Sequence, residues 1–208
     1  KLVGFFFFFL FNIKIISFDW RGFMDTGSPA FILICSAMVC LMTPALAFFY
    51  GGLGRRKNVI NTMMMSVLPL AIASLLWVVA GYSLSFGGQG YFFGNISHLF
   101  LHGVSETTSS RGLAITDLLF SAFQMMFSII CVAILTGSVV GRMRFTPLAI
   151  FIVFWLLLVY YPFAHMVWGD GILVKWGTID FAGGDVVHIT SGVSALVLAI
   201  VVGKRRDY

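Results

Sequence analysis

Near the carboxyl end of the chain, Asp180-Phe181-Ala182-Gly183-Gly184-Asp185-Val186-Val187-His188 puts two carboxylates and an imidazole at the start of an apolar stretch. A charged side chain near a bilayer centre costs about 2.5–3.5 kcal/mol even on the gentler insertion scales, so polar groups there usually face a cavity or a pathway. Asp180 is placed to cap the amino end of the helix that follows and to complement the positive potential of its first turn. Gly183 and Gly184 carry no side chain and Gly192 lies two turns on, which leaves close helix contact and a backbone-lined cavity both open. His188 falls one turn from Gly184 and one from Gly192, either as a satisfied core histidine or as part of a pathway. Asp185, one turn before His188, is expected to cap the helix start. A hydrogen bond outside the pore and an electrostatic effect on the His188 ring are its alternatives.

Two aromatic groups lie upstream. Phe120, Phe123, Phe127 and Cys131 follow helical spacing, which puts Phe123 and Phe127 one turn apart on one face. Stacked phenylalanines can gate a narrow pore or simply pack between helices. Gln124, in the same stretch, needs a polar partner at that depth. Further on, Tyr160-Tyr161-Pro162-Phe163-Ala164-His165-Met166-Val167-Trp168-Gly169 closes an apolar run. Its Tyr and Trp suit an interfacial belt. The sharper reading lays a cation over the Trp168 ring, an attraction of about 0.5–2 kcal/mol. Cys35, Cys40 and Cys131 have neither metal-ligand spacing nor a disulfide framework around them and read as small core residues. No catalytic residue, metal site or cofactor is expected, and the chain is not expected to be an enzyme.

The elements that must position these residues follow from composition. The 208 residues are 60% hydrophobic and 10% charged, with a mean hydropathy of +1.00, which marks an integral membrane protein. About 20 helical residues cross a hydrocarbon core of about 30 Å. Five stretches of that length are expected, at about 28–50, 59–86, 113–140, 147–168 and 181–202, with glycine-rich breaks between them. The class is therefore all-α, in a multi-pass protein of the cell membrane, with the lipid bilayer as its solvent. The net charge of +5 does not point to nucleic acid, because the basic residues sit in short clusters between apolar runs. Arg55, Arg56, Lys57, Arg142, Arg144, Lys204, Arg205 and Arg206 follow spans one, three and five, whereas the opposite inter-span loops hold only Arg111 and Lys175. The positive-inside rule then places the amino end of span one outside the cytoplasm.

Residues 1–25 form a leader whose Phe5 to Phe9 run resembles the apolar core of a signal peptide. A sixth span, an interfacial segment or a gene-boundary artefact are its alternatives. A chain that opens on lysine is expected to be truncated. Its end at Lys204-Arg205-Arg206-Asp207-Tyr208, directly after a span, suits a cut at the boundary between two inverted repeats.

Ala164-His165-Met166-Val167-Trp168-Gly169, followed by Asp180-Phe181-Ala182-Gly183-Gly184 and Val186-Val187-His188-Ile189, resembles the ammonium transporter family, Amt/Mep/Rhesus. Phe48-Phe49-Tyr50-Gly51-Gly52-Leu53 with Lys57-Asn58, Trp77 to Leu84, Phe92-Phe93-Gly94-Asn95-Ile96 and Ala122-Phe123-Gln124 resemble it in the same order. The likeness runs from about Phe31 to Arg205 and corresponds to the first five of the family's eleven transmembrane helices, its first inverted repeat. Residues 26–208 are accordingly expected to be the amino-terminal half of the transporter domain.

The resemblance implies ammonium or ammonia as the substrate. Trp168 and Phe127 would flank an outer recruitment site. Phe127, one turn from Phe123, would add one layer of a paired phenylalanine gate. Asp180, with Gly183 and Gly184 after it, would support the site without ligating the cation. His188 would be the first of two histidines lining a hydrophobic pore. It also implies a homotrimer and control by a cytoplasmic regulatory protein. The second pore histidine, the second gate phenylalanine and the serine of the outer site would lie on later helices, and Asp185 stands where the family pattern calls for a small polar or apolar residue. Three rivals stay in view: an ammonium sensor, a truncated non-conducting remnant, and a membrane haem protein with His165 and His188 as axial ligands.

Overall fold

The computed structural model describes residues 26–204. The leader, with its expected signal-peptide remnant, lies outside the described residues, as do Arg205 and Arg206. Among the described residues every regular element is helical. Five helices are long and apolar enough to cross a membrane: α1 (Gly27–Gly52), α2 (Arg56–Phe86), α3 (Asp117–Val139), α4 (Phe145–Lys175) and α5 (Gly184–Val202). α1 packs on α2 and α3, α2 on α3 and α4, and α3 on α5. α3 is central. Its residues Ile129, Ile130, Cys131, Val132 and Ala133 are all buried, and a helix covered on every side is what an unbroken apolar run specifies.

In lipid the apolar face of a helix gains little by meeting another apolar face, so close packing and interhelical hydrogen bonds hold the bundle. Small residues receive large ones. A Cβ on Gly81 of α2 would stand 2.6 Å from the Tyr161 ring of α4, and one on Gly137 would stand 2.5 Å from the Tyr50 ring of α1. The Tyr50 hydroxyl also donates to the carbonyl of Ile134 at 3.1 Å. Trp77 Nε1 donates to Ser121 Oγ at 3.1 Å, joining α2 to α3. Trp155 Nε1 donates to Ser194 Oγ at 2.9 Å, joining α4 to α5. Such bonds contribute about 0.6 kcal/mol each on average.

Three helices contain a π turn: Trp77–Gly81 in α2, Leu156–Tyr160 in α4 and Gly184–Ile189 at the start of α5. The turn in α4 has a local cause. Pro162 lacks an N–H and its ring crowds the carbonyl four residues earlier, so the helix widens just before it. The turns of α2 and α4 meet, with the Trp77 and Tyr161 rings 5.8 Å apart at 65°.

α3 begins at Asp117, four residues after the expected start at 113. The Thr116 side chain accepts the N–H of Leu119 at 3.2 Å, and both Asp117 carboxylate oxygens lie 3.0 Å from the Ser110 N–H. These polar closures hold residues 113–116 out of the helix. α4 breaks after Trp168 and resumes for one turn, Ile172–Lys175. Asp170 between them has φ +64°.

Candidate functional site

The loop from α4 to α5 is closed by Asp180. Its Oδ1 accepts the N–H of Gly184 at 2.8 Å, and its Oδ2 accepts those of Asp185 at 2.9 Å and Val186 at 3.0 Å. One carboxylate thus satisfies three of the four N–H groups that a helix start leaves without partners. The expected cap at Asp180 is present. Asp185, expected to cap as well, does not: among the described residues its carboxylate accepts no hydrogen bond, because Asp180 already takes the amides within reach.

Gly183 and Gly184 differ in kind. Gly183 has φ +78° and a Cβ there would stand 2.8 Å from Val187 Cγ2, whereas the nearest atom to a Cβ on Gly184 is Asp180 Oδ1 at 3.9 Å. Only the first position needs glycine, for its left-handed backbone and its contact.

Asp180 also holds Trp168, through its main chain. Trp168 Nε1 donates to the Asp180 carbonyl at 2.9 Å, and the indole is half-buried. Its ring meets Phe127 of α3 edge to face, centroids 6.1 Å apart at 68°. Phe127 in turn meets Phe123 at 4.9 Å and 89°. Phe123, Phe127, Trp168 and Asp180 therefore form one connected row across α3, α4 and the start of α5. Phe120, grouped with them by spacing, belongs elsewhere: its ring lies 5.0 Å from Phe86, with the Arg111 guanidinium 5.3 Å away. The buried Gln124 Oε1 has no hydrogen-bond partner among the described residues.

His165, one turn before Trp168, is wholly buried. Its Nδ1 lies 3.0 Å from the Ser85 carbonyl and its Nε2 2.9 Å from the Gly90 carbonyl. With both ring nitrogens engaged by backbone at the end of α2, neither is free to ligate a haem iron. The ring ties the loop after α2 to the turn that carries Trp168.

His188 sits in the π turn that opens α5. Its ring is exposed and makes no hydrogen bond among the described residues. The turn around it is firmly held. Gly183 O accepts from both Val187 N and His188 N, each at 3.0 Å. Cys131 Sγ donates to Val187 O at 3.3 Å, Thr190 Oγ1 donates to Val186 O, and Ser191 Oγ donates to Val187 O at 2.5 Å. Cys131, Thr190 and Ser191 thus complete carbonyls that the widened turn leaves short of partners. Helical spacing groups Cys131 with the phenylalanines of α3 but does not point to this role, and it does not mark Thr190 or Ser191. The faint signal was a polar pair, Thr190-Ser191, directly after the histidine.

Below His188 the outward face of α5 is apolar: Val193 is 57%, Leu196 62% and Ile200 72% exposed. Gly192, one turn on from His188, has no atom within 4 Å of where a Cβ would be. At the opposite end of the bundle, Arg55, Arg142, Arg144 and Lys204, which follow spans one, three and five, line one pocket.

Residues 30–208 match the model of the Ammonium Transporter Family. The chain is 46% identical over 184 residues to the ammonium transporter of Bacillus subtilis (strain 168), covering 88% of this chain and 46% of that protein. Among solved structures, Candida albicans Mep2 superposes with a TM-score of 0.80 at 32% identity, covering 86% of this chain and 40% of the other. A sensor Amt protein superposes with a TM-score of 0.77 at 30% identity, over 86% and 45% respectively. The chain spans less than half the length of the curated relatives it matches. Five apolar helices, in the order and packing of the first five helices of the eleven-helix Amt/Mep fold, make it a multi-pass membrane protein, and the chain belongs to the ammonium transporter family.

Proposed function

We propose that this chain serves in moving ammonium or ammonia across the cell membrane, as the amino-terminal half of a transporter domain spanning residues 26–208. The observation that carries the reading is the connected row from Asp180 through Trp168 to Phe127 and Phe123. A cation entering an apolar path loses its hydration, and a π face can replace part of that interaction. Trp168, half-exposed and anchored through its N–H, offers such a face. Phe127 and Phe123 form an apolar plug next to it. Asp180 acts through the backbone it organises, since its carboxylate is taken up by three amides. His188 lines the path further in, as a hydrogen-bond partner or a relay. The basic clusters favour an extracytoplasmic amino end for α1. The reading includes a homotrimer in the plasma or inner membrane, under a cytoplasmic regulatory protein.

The test is flux. Proteoliposomes containing the complete transporter, this half joined to the second, are exposed to an ammonium gradient while lumenal pH and membrane current are followed. Loss of the Trp168 ring face in Trp168→Leu is expected to weaken apparent affinity by up to about thirtyfold, the equivalent of about 2 kcal/mol. His188→Ala is expected to change the rate with little change in affinity. Unchanged kinetics in both variants would overturn the site assignment.

The likeness to the sensor Amt protein supports a second reading, in which the same outer site binds ammonium and signals. Ammonium-dependent quenching of Trp168 fluorescence, abolished in Trp168→Leu and unaccompanied by flux, would favour it.

A further inference from the structure

The π turn that opens α5 is wound in two registers at once. The Gly183 carbonyl is shared by the N–H groups of Val187 and His188, four and five residues on, each at 3.0 Å. From there the wider register takes over, and the Thr190 N–H reaches the Asp185 carbonyl, five residues back. In an α-helix that N–H would go to the Val186 carbonyl instead, four back. Val186 and Val187 are buried, where a carbonyl left without a partner is costly. Rewinding to the α register would supply one. It would also slip the helix by one residue, a rotation of about 100°, and carry the His188 ring off the direction it now takes.

Among the described residues three side chains hold the wider register, and Cys131 alone of the three comes from another helix. Thr190 Oγ1 donates to Val186 O and Ser191 Oγ to Val187 O, but such hydroxyls bond the carbonyl three or four residues back in any helical winding. These two travel with α5. Cys131 belongs to α3, is wholly buried, and places Sγ 3.3 Å from Val187 O, 3.8 Å from Val186 O and 3.6 Å from Thr190 Oγ1. Its thiol meets these atoms only while the turn presents them to α3.

We propose that Cys131 is a positioning residue for His188: its thiol selects the π register of α5 and so fixes where the His188 ring points. The consequence for flux rests on the path proposed above, whereas the consequence for the ring does not. A serine hydroxyl can make the same bond to Val187 O. Valine and alanine have nothing to donate.

The complete transporter, this half joined to the second, is isotope-labelled at its histidine ring nitrogens and followed in lipid bilayers by solid-state NMR. The His188 signal is assigned by its loss in His188→Ala. In Cys131→Ser the signal is expected to keep its wild-type position. In Cys131→Val and Cys131→Ala it is expected to move or split, and the maximal rate of ammonium flux to fall about fivefold, the effect of one lost hydrogen bond, with little change in apparent affinity. The two variants guard each other, because valine adds a branched carbon and alanine leaves space. An unmoved signal in both, even with a lowered unfolding midpoint, would make Cys131 a packing residue only and overturn the proposal. So would a signal moved as far by serine as by valine. If His188→Ala leaves flux unchanged, the path reading fails instead, and the ring signal still decides the role of Cys131.

Discussion

Trp168 and His188 stand on consecutive helices of one bundle, and their surroundings differ in every respect. The Trp168 indole is fixed at its N–H by the Asp180 carbonyl and at its ring by Phe127. The His188 ring is exposed and unbonded among the described residues, on an outward face that continues through Gly192 and Leu196. The backbone beneath His188, by contrast, is held by Cys131, Thr190 and Ser191. The row from Asp180 through Trp168 to Phe127 is thus assembled from contacts within this chain. At His188 the chain supplies a rigid platform and leaves the side chain available to whatever faces it. In the function proposed above, a cation site at the water boundary is built by one helical repeat, whereas a pore lining needs a second surface.

Substitutions that damage one region and spare the other sharpen this contrast. The largest effect is expected at Asp180. Asp180→Ala frees three amides at the start of α5 and should lower stability by about 3 kcal/mol. The shift should appear in the unfolding midpoint, with Trp168 emission moving to longer wavelength as its anchor loosens. An unmoved midpoint would mean that water replaces the carboxylate and that the mouth is not held by it. Next come the neighbouring glycines. Gly183→Ala meets Val187 with φ +78° and should cost about 2 kcal/mol, while Gly184→Ala should stay within about 0.5 kcal/mol. Equal effects on thermal stability would break the distinction drawn between them.

Within the aromatic row, Phe127 touches the rings of both Phe123 and Trp168, whereas Phe123 touches that of Phe127. Phe127→Ala should therefore be more damaging than Phe123→Ala by about 1 kcal/mol, the value of one aromatic pair, measured as the difference between their denaturation midpoints. The smallest expected change in stability belongs to His188→Ala, within about 0.5 kcal/mol because the ring is exposed and unbonded. The same variant should alter ammonium flux. A large loss of stability would show that the ring has structural partners and would erase the contrast with Trp168.

Much of this organisation was legible in the residues. The five spans follow from apolar length, the Asp180 cap from a carboxylate ahead of an apolar run, and the Phe123–Phe127 pair from a four-residue step along one helix. The misreadings have physical causes. The start of α3 moved because Thr116 and Asp117 satisfy backbone amides that a longer helix would have taken. Asp185 was read as a cap because a helix start attracts carboxylates, but Asp180 reaches the same amides first. Spacing around His188 was counted at 3.6 residues per turn, whereas Gly184–Ile189 winds as a π turn.

The sequence by itself determined that residues 26–204 hold five apolar helices of membrane-spanning length, where those helices start to within a few residues, and that Asp180 caps the last of them. Hydropathy, capping and one-turn spacing act over a few neighbouring residues, so they can be read along the chain. Only the tertiary structure decided that Trp168 would meet Phe127, that both nitrogens of His165 would be occupied, that Cys131 would support the turn under His188, and that four basic residues would share one pocket. Each of those contacts joins segments far apart in sequence, and which of them form depends on how the helices cross and where π turns shift their faces.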